Sequence, residues 1–268
     1  MVQTYIFIDG SYFCFYRYYS LLTWWKNARP DIPLDNPHSN EEFVAKFRKT
    51  FIENVANLKK NLGLKCLPTI YVGKDCPRQE IWRLQHFPDY KSTRGQDDTF
   101  MGGPFFKMAY EENLFLQGGA KQVLSCDTLE ADDCVALAVR KLLDTNADTD
   151  IEIYIITSDR DYLQLASNKV HLYTLAFKDM TTMKSSSGSA SCDLFCKIVM
   201  GDNSDNIPSI AKKIGPKTAL KYYENKELFE KLLLDPEVKK KYDLNKLLVD
   251  FNMIPDQLVQ KFYLENKW

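Results

Sequence analysis

Short runs of β-branched, aromatic and aliphatic residues alternate along this chain with longer stretches of helical period. Residues 4–8 (Thr-Tyr-Ile-Phe-Ile) are followed at once by Asp9 and Gly10. Residues 68–72 (Pro-Thr-Ile-Tyr-Val) lead into Gly73 and Asp75, and residues 151–157 lead into Ser158 and Asp159. A further run, 170–175, predicts another strand. Between them, Phe43, Val44, Phe47, Phe51, Val55 and Leu58 recur at helical spacing and predict a helix over 41–61. Val135, Ala138, Val139 and Leu142 predict a second helix over 129–143. Strands alternating with helices predict an α/β fold with a mainly parallel central sheet and flanking helices. In open sheets of this kind, ligands gather outside the carboxyl ends of the strands. Asp9, Asp75 and Asp159 are therefore expected to converge in space.

Two stretches break the alternation. Residues from about 76 to 118 are punctuated by Arg, Pro and Gly with interspersed aromatics, and read as a partly helical excursion from the sheet. Residues 185–191 (Ser-Ser-Ser-Gly-Ser-Ala-Ser) read as a short flexible linker. The chain beyond is lysine-rich and helical, which suggests a core over 1–192 and a helical region over 193–268.

Composition narrows the class. With 45% hydrophobic and 26% charged residues, the chain has the make-up of an ordinary soluble globular protein. No apolar run approaches the roughly 20 residues needed to span a bilayer, and no basic segment precedes Asp9, so neither membrane nor signal peptide is expected. Seven scattered cysteines complete no zinc site and are expected as reduced thiols of an intracellular protein, cytoplasmic or nuclear. The three histidines, His38, His86 and His171, lie far apart, which argues against imidazole chemistry. A net charge of −1 is not that of a simple DNA-binding domain, but an acidic centre can cancel basic strips elsewhere.

Acids form the remaining pattern. Glu130, Asp132 and Asp133 open a predicted helix, Asp159 and Asp161 follow a strand, and Asp202 and Asp205 sit in Gly-Asp-Asn-Ser-Asp-Asn. Acids at a helix N-terminus stabilise it by about 0.3–1 kcal/mol each, which accounts for the first group alone but not for the set. Two carboxylates about 5 Å apart repel by roughly 3 kcal/mol at an effective dielectric near 20. A fold that gathers several of them calls for hard divalent cations, and magnesium needs only oxygen ligands. Two such ions suit phosphodiester hydrolysis.

Read in order, these pieces resemble the 5′-nuclease superfamily: flap endonucleases, phage 5′–3′ exonucleases and the 5′-nuclease domain of bacterial DNA polymerase I. The matching segments are Phe-Ile-Asp-Gly-Ser (7–11), Phe-Pro-Asp-Tyr-Lys-Ser-Thr-Arg (87–94), Leu-Glu-Ala-Asp-Asp (129–133) and Thr-Ser-Asp-Arg-Asp-Tyr (157–162). Met-Gly-Asp-Asn-Ser-Asp-Asn-Ile-Pro (200–208) and Ile-Gly-Pro-Lys-Thr-Ala (214–219) complete the set. The resemblance implies a PIN-like core, a helical arch within 76–118 and a helix–hairpin–helix in the C-terminal region. It implies that Asp9, Asp75, Glu130 and Asp132 serve a first metal with Asp133 adjoining, and that Asp159, Asp161 and Asp205 serve a second with Asp202 close by. It also implies two Mg2+ ions, with Mn2+ as a substitute.

Lys91 and Arg94 match the family's basic arch positions and are expected at the scissile phosphate, where positive charge stabilises the reaction. Arg78 and Arg83 in the same excursion are expected on DNA, with Tyr90 as a stacking platform or a core tyrosine. Arg17 follows Asp9 by eight residues, where the family usually carries arginine at seven, the place of Tyr16 here. One helical step turns a side chain by about 100°, so Arg17 is a phosphate candidate out of register. Lys212, Lys213, Gly215, Lys217, Thr218 and Lys221 resemble the duplex-gripping hairpin, often holding K+ in the family. Two customary hairpin glycines are Ser209 and Lys213 here. The tail 256–263 superficially resembles a sliding-clamp peptide, but a structural helix is the better reading. The expectation is a monomeric 5′–3′ exonuclease and flap endonuclease acting on DNA with 5′ ends, flaps or junctions in replication or repair, with its replication-machinery partner unspecified. A non-catalytic DNA-binding protein on the same fold and a PIN-like ribonuclease remain the alternatives.

Overall fold

A computed structural model describes residues 2–94, 99–147 and 149–268. Its centre is a parallel five-stranded sheet: β1 (Gln3–Asp9), β2 (Thr69–Gly73), β3 (Gln122–Leu124), β4 (Ile151–Ile156) and β5 (Val170–Tyr173), in the order β3-β2-β1-β4-β5. Asp9 pairs with Gly73 on one side, and Ile8 pairs with Ile156 on the other, so the carboxyl ends of the three inner strands are level. The chain runs outward from β1 through β2 to β3, then returns to lay β4 on the opposite side of β1. The carboxyl ends of β1 and β4 thus flank the point where the strand order reverses, the usual ligand crevice of such sheets.

Burial on both faces explains the near-continuous apolar strands. On β1, Ile6 and Ile8 face one layer and Phe7 the other. The first layer is α1 (Gly10–Ala28), α2 (Glu41–Ala56) with its short continuation α3 (Leu58–Asn61), α4 (Gly103–Glu111) and α5 (Leu114–Gln117). Phe13, Phe43, Phe47, Phe51, Phe105 and Phe115 interlock there. The opposite layer is α6 (Ala131–Thr145), covered by α11 (Asp256–Asn266), with Val135, Val139 and Phe262 against Phe7, Ile153 and Ile155. Asn40 caps α2 through Phe43 N, and Glu41 and Glu42 favour its first turn.

Between these ends lie α7 (Ala190–Met200), α8 (Pro216–Glu224), α9 (Lys226–Leu233) and α10 (Pro236–Val249), which share a smaller core of Val199, Ile210, Ala219, Phe229 and Val238. Among the described residues no helix is long and apolar enough to cross a membrane.

Three expectations change. The excursion over 76–118 is not all free-standing, since α4 and α5 bury Phe105, Ala109, Leu114 and Phe115 in the main core; residues 95–98 lie outside the described residues. The serine-rich stretch is a capping structure, not a loose linker. Ser186 Oγ and Ser187 N donate to the Asp193 carboxylate at 2.7 Å each, and Ser189 caps α7. The helical region from 193 onward does not stand apart over its whole length. Its last helix, α11, buries Phe262 completely, and Trp268 lies 4.9 Å from the Tyr71 ring.

If α11 is integral to the core, Phe262→Ala costs about 3–5 kcal/mol of unfolding free energy, read from the urea midpoint. A loss below about 1 kcal/mol would instead mark α11 as a detachable appendage.

Candidate active site and metal centre

The carboxyl edge of the sheet opens into a cavity of about 480 Å³ lined by Asp9, Asp75, Glu130, Asp132, Asp159 and Asp202, with Lys91 and Arg94 at its wall. Each acid is placed by local structure. Asp9 ends β1 and caps α1, accepting from Tyr12 N at 3.0 Å and from Thr157 Oγ1 at 2.9 Å. Asp75, beyond β2, accepts from Ala131 N at 2.8 Å and from the Ser11 hydroxyl. Asp159 follows β4 and caps the turn 160–165 through Asp161 N. Asp202 caps the turn after α7 through Ser204 N. Two glycines let these elements close up. A Cβ on Gly73 would lie 2.6 Å from the Ala131 carbonyl, and one on Gly10 would collide with the Tyr110 hydroxyl.

The acids divide into two groups. Glu130 takes Lys91 and Arg83, Asp205 takes Arg94 and Lys91, and Asp161 and Asp202 share Lys197. Among the described residues, no lysine or arginine forms an ion pair with Asp9, Asp75, Asp132 or Asp159. Burial, then repulsion from Asp75, pushes the Asp9 carboxyl up to about 7, with Asp159 adding to the effect. Burial, then Glu130 and Asp133, raises Asp132 well above the ordinary carboxylate range. Burial also opposes charge on Glu130 and on Asp202, but Lys91 and Arg83 outweigh it at the first and Lys197 at the second, holding both carboxyls low. Crowded oxygens without an ion-pair partner, two of them on carboxyls that resist ionising (Asp9 and Asp132), suit a hard divalent ion. Oxygens of Glu130, Asp132 and Asp133 also come within 4.8 Å of one another.

Several expected roles shift with this geometry. Asp133, expected beside the first metal, is fully buried and does not line the cavity. Its oxygens accept from Arg83 Nη1 and Nη2 at 2.7 Å each and from Trp82 Nε1 at 3.0 Å. Arg83, expected on DNA, is only 1% exposed and also donates to the Leu248 carbonyl at 2.7 Å. It is a buried brace and not a surface contact, because Asp133, Glu130 and that carbonyl take up its guanidinium. Tyr90, 4% exposed, donates its hydroxyl to Glu130 at 3.1 Å and belongs to the core, not to a stacking surface. Arg17 is half-buried with its guanidinium 5.4 Å from the Tyr16 ring and does not line the cavity, as its register suggested. Arg78 is exposed and reaches the Arg94 carbonyl.

Lys91 and Arg94 do face the centre. Lys91 is buried in the left-handed region (φ 55°), held by its N–H to the Asp205 carbonyl at 2.9 Å; such a conformation costs about 1–2 kcal/mol for a residue with a Cβ. Away from the cavity, Lys212, Lys213, Lys217 and Lys221 are exposed on α8 and the loop before it, with Gly215 preceding α8 and Thr218 half-buried within it. Lys212, Lys213, Gly215 and Lys241 of α10 line a second open hollow. Lys213 adopts the left-handed conformation (φ 64°), which a glycine at this position would have favoured.

The model of the 5′–3′ exonuclease N-terminal, resolvase-like domain matches residues 4–191. The chain belongs to this family. Among curated relatives, this family member is 28% identical to Ribonuclease H of Enterobacteria phage T4 over 204 residues, 69% of this chain and 65% of that protein. It is 34% identical to the 5′–3′ exonuclease of Bacillus subtilis over 162 residues, 58% of this chain and 51% of that protein. The chain thus spans about half to two thirds of the length of these two relatives. The T5 D15 protein co-crystallised with metal ions superposes with a TM-score of 0.66 at 17% identity, covering 98% of each chain. The T5 D15 flap endonuclease in a pseudo-enzyme-product complex with DNA and metal ions gives 0.64 at 16%, covering 98% of this chain and 97% of that one. At such identities the likeness establishes the fold.

Some residues of the centre escaped the sequence reading of this exonuclease-family chain. Lys197 was findable, as a lone charge inside the apolar run Phe195 to Met200. Trp82, Thr157 and Ser11 carry no such mark, since a hydroxyl or indole that orients an acid looks like any other.

Asp9 reverses the usual carboxylate rule. Its folded value of about 7 exceeds the unfolded 3.8, so between them the folded state binds the extra proton, and stability falls as pH rises through that window. In chelator, calorimetric Tm should drop from pH 4 to pH 8 less steeply in Asp9→Asn than in the natural protein, and added divalent ion should offset the drop. Identical slopes would remove Asp9 from this account.

Proposed function

We propose that this chain is a divalent-cation-dependent 5′-nuclease, a 5′–3′ exonuclease and flap endonuclease that hydrolyses DNA near single-strand/double-strand junctions in replication or repair. The observation that carries the reading is the convergence of Asp9, Asp75, Asp132 and Asp159, none with a cationic ion-pair partner among the described residues, beside Lys91 and Arg94 at the switch point of the sheet. Family membership and the names of the relatives support it.

Asp9, Asp75, Asp132 and Glu130 would hold a first Mg2+, and Asp159 with Asp161, Asp202 and Asp205 a second; Mn2+ offers the same oxygen preference. When bound, such ions neutralise the acids and activate water for attack on phosphorus. The chain's own cations do the rest. Lys91 and Arg94 already lie on Glu130 and Asp205, so an entering phosphate meets positive charge fixed beforehand. Lys212, Lys213, Lys217 and Lys221 offer exposed charge for duplex phosphates, with K+ at the hairpin as an accessory, and binding should weaken steeply with salt. The molecule would act as a monomer. A relative named Ribonuclease H favours testing one further substrate, a 5′ RNA end annealed to DNA.

Cleavage of a labelled 5′ flap with magnesium and with chelator tests the reading. Asp159→Ala should bind flap DNA with natural affinity and cut it at least about 10³-fold more slowly; natural turnover would sink the second-metal assignment. Lys91→Met should slow single-turnover cleavage by about 10²–10³-fold with little change in DNA affinity. An unchanged rate would confine Lys91 to a structural role.

A further inference from the structure

Tyr162 follows the acids Asp159 and Asp161 in the turn 160–165, and nothing above uses it. Its side chain is fully buried, with its ring 6.4 Å from that of Phe251. Its hydroxyl has no hydrogen-bond partner among the described residues. Yet Tyr162 is part of the wall of the carboxylate cavity. Asp9, Asp75, Asp132 and Asp159 line the same cavity, and a phenol hydroxyl is a donor. Among the described residues, these are the same four acids with which no lysine or arginine forms an ion pair. A buried hydroxyl is unfavourable unless paired, and phenylalanine would fill the same space without that demand. The hydroxyl therefore calls for an acceptor that the described residues do not supply, in the cavity wall that Tyr162 shares with the acids.

We propose that Tyr162 is a positioning residue of the metal centre: its hydroxyl donates a hydrogen bond to a water in the coordination shell of a divalent ion held in the cavity that Asp9, Asp75, Asp132 and Asp159 line. The inference rests on the nuclease reading for what the ion does, but not for whether the ion binds. Outer-shell donors of this kind orient the ligands, and their loss weakens metal affinity or activity by about 10–100-fold. Tyr110 provides a control, since its hydroxyl is also buried and unpartnered but does not line the cavity.

The test titrates Mn2+ into full-length natural protein, Tyr162→Phe and Tyr110→Phe without DNA, following free Mn2+ by electron paramagnetic resonance. Tyr162→Phe should raise the Mn2+ Kd about tenfold or more, while the Tm in chelator stays level or rises. Tyr110→Phe should leave the Kd where it was. Single-turnover flap cleavage at subsaturating Mn2+ should fall in Tyr162→Phe with DNA affinity retained. An unchanged Mn2+ Kd in Tyr162→Phe overturns the proposal, as does an equal loss in Tyr110→Phe or a lowered Tm in chelator that tracks the loss. A shifted Kd in a protein that cuts no flap supports Tyr162 while sinking the nuclease reading.

Discussion

Mutual repulsion among carboxylates governs this molecule. Nine acids from five separate segments surround one sheet edge, against four basic side chains that pair with them: Arg83, Lys91, Arg94 and Lys197. Each unscreened pair at close range costs a few kcal/mol. The fold offsets part of that cost with backbone and hydroxyl donors at most of the acids and part with those four cations. The remainder is concentrated on Asp9, Asp75, Asp132 and Asp159. Concentrating it there suits the centre to cations, because an ion arriving from solvent would relieve repulsion that the paired side chains leave in place.

The basic residues also join the layers. Arg83, after β2, clasps Asp133 and Glu130 at the start of α6 and the Leu248 carbonyl in α10. Lys197 on α7 reaches Asp161 beyond β4 and Asp202 in its own following turn. Buried ion pairs of this kind contribute little net stability, but removing one partner strands a charge and costs about 3–5 kcal/mol. Their consequence is registration: the lysine-bearing helices α8 to α10 are fixed relative to the cavity through the same acids that shape it.

Much of this was legible in the sequence, and the failures have physical causes. Short β-rich runs ending in aspartate located Asp9 and Asp159, because strand composition and strand termination are local properties. β3 has three residues, too few to show alternation. Arg78, Arg83 and Arg94 look alike within one irregular segment, yet one is a brace and two are exposed; without a helical or strand period, nothing local says which way a side chain points. Phe105, Phe115 and their neighbours did carry a packing signal, which the Arg, Pro and Gly punctuation of the excursion obscured. Serines that cap a helix have the composition of serines in a linker, since the same short side chains satisfy both.

Asp9 shows how closely fold and site are joined. It is the last residue of β1 and the cap of α1, and its two oxygens accept from Tyr12 N and Thr157. Serine, threonine or asparagine caps a helix as well as aspartate does, so capping alone does not select the acid. Each carboxylate oxygen keeps a lone pair after accepting one hydrogen bond, and only a carboxylate adds a full negative charge to that geometry. The donors that fix the cap thus also aim the remaining lone pairs, and the α1 N-terminus lowers the cost of the charge. The residue that starts the first helix is in this way already oriented toward the cavity before any ligand arrives, which is why the acid at this position belongs to the folding of the chain as much as to its chemistry.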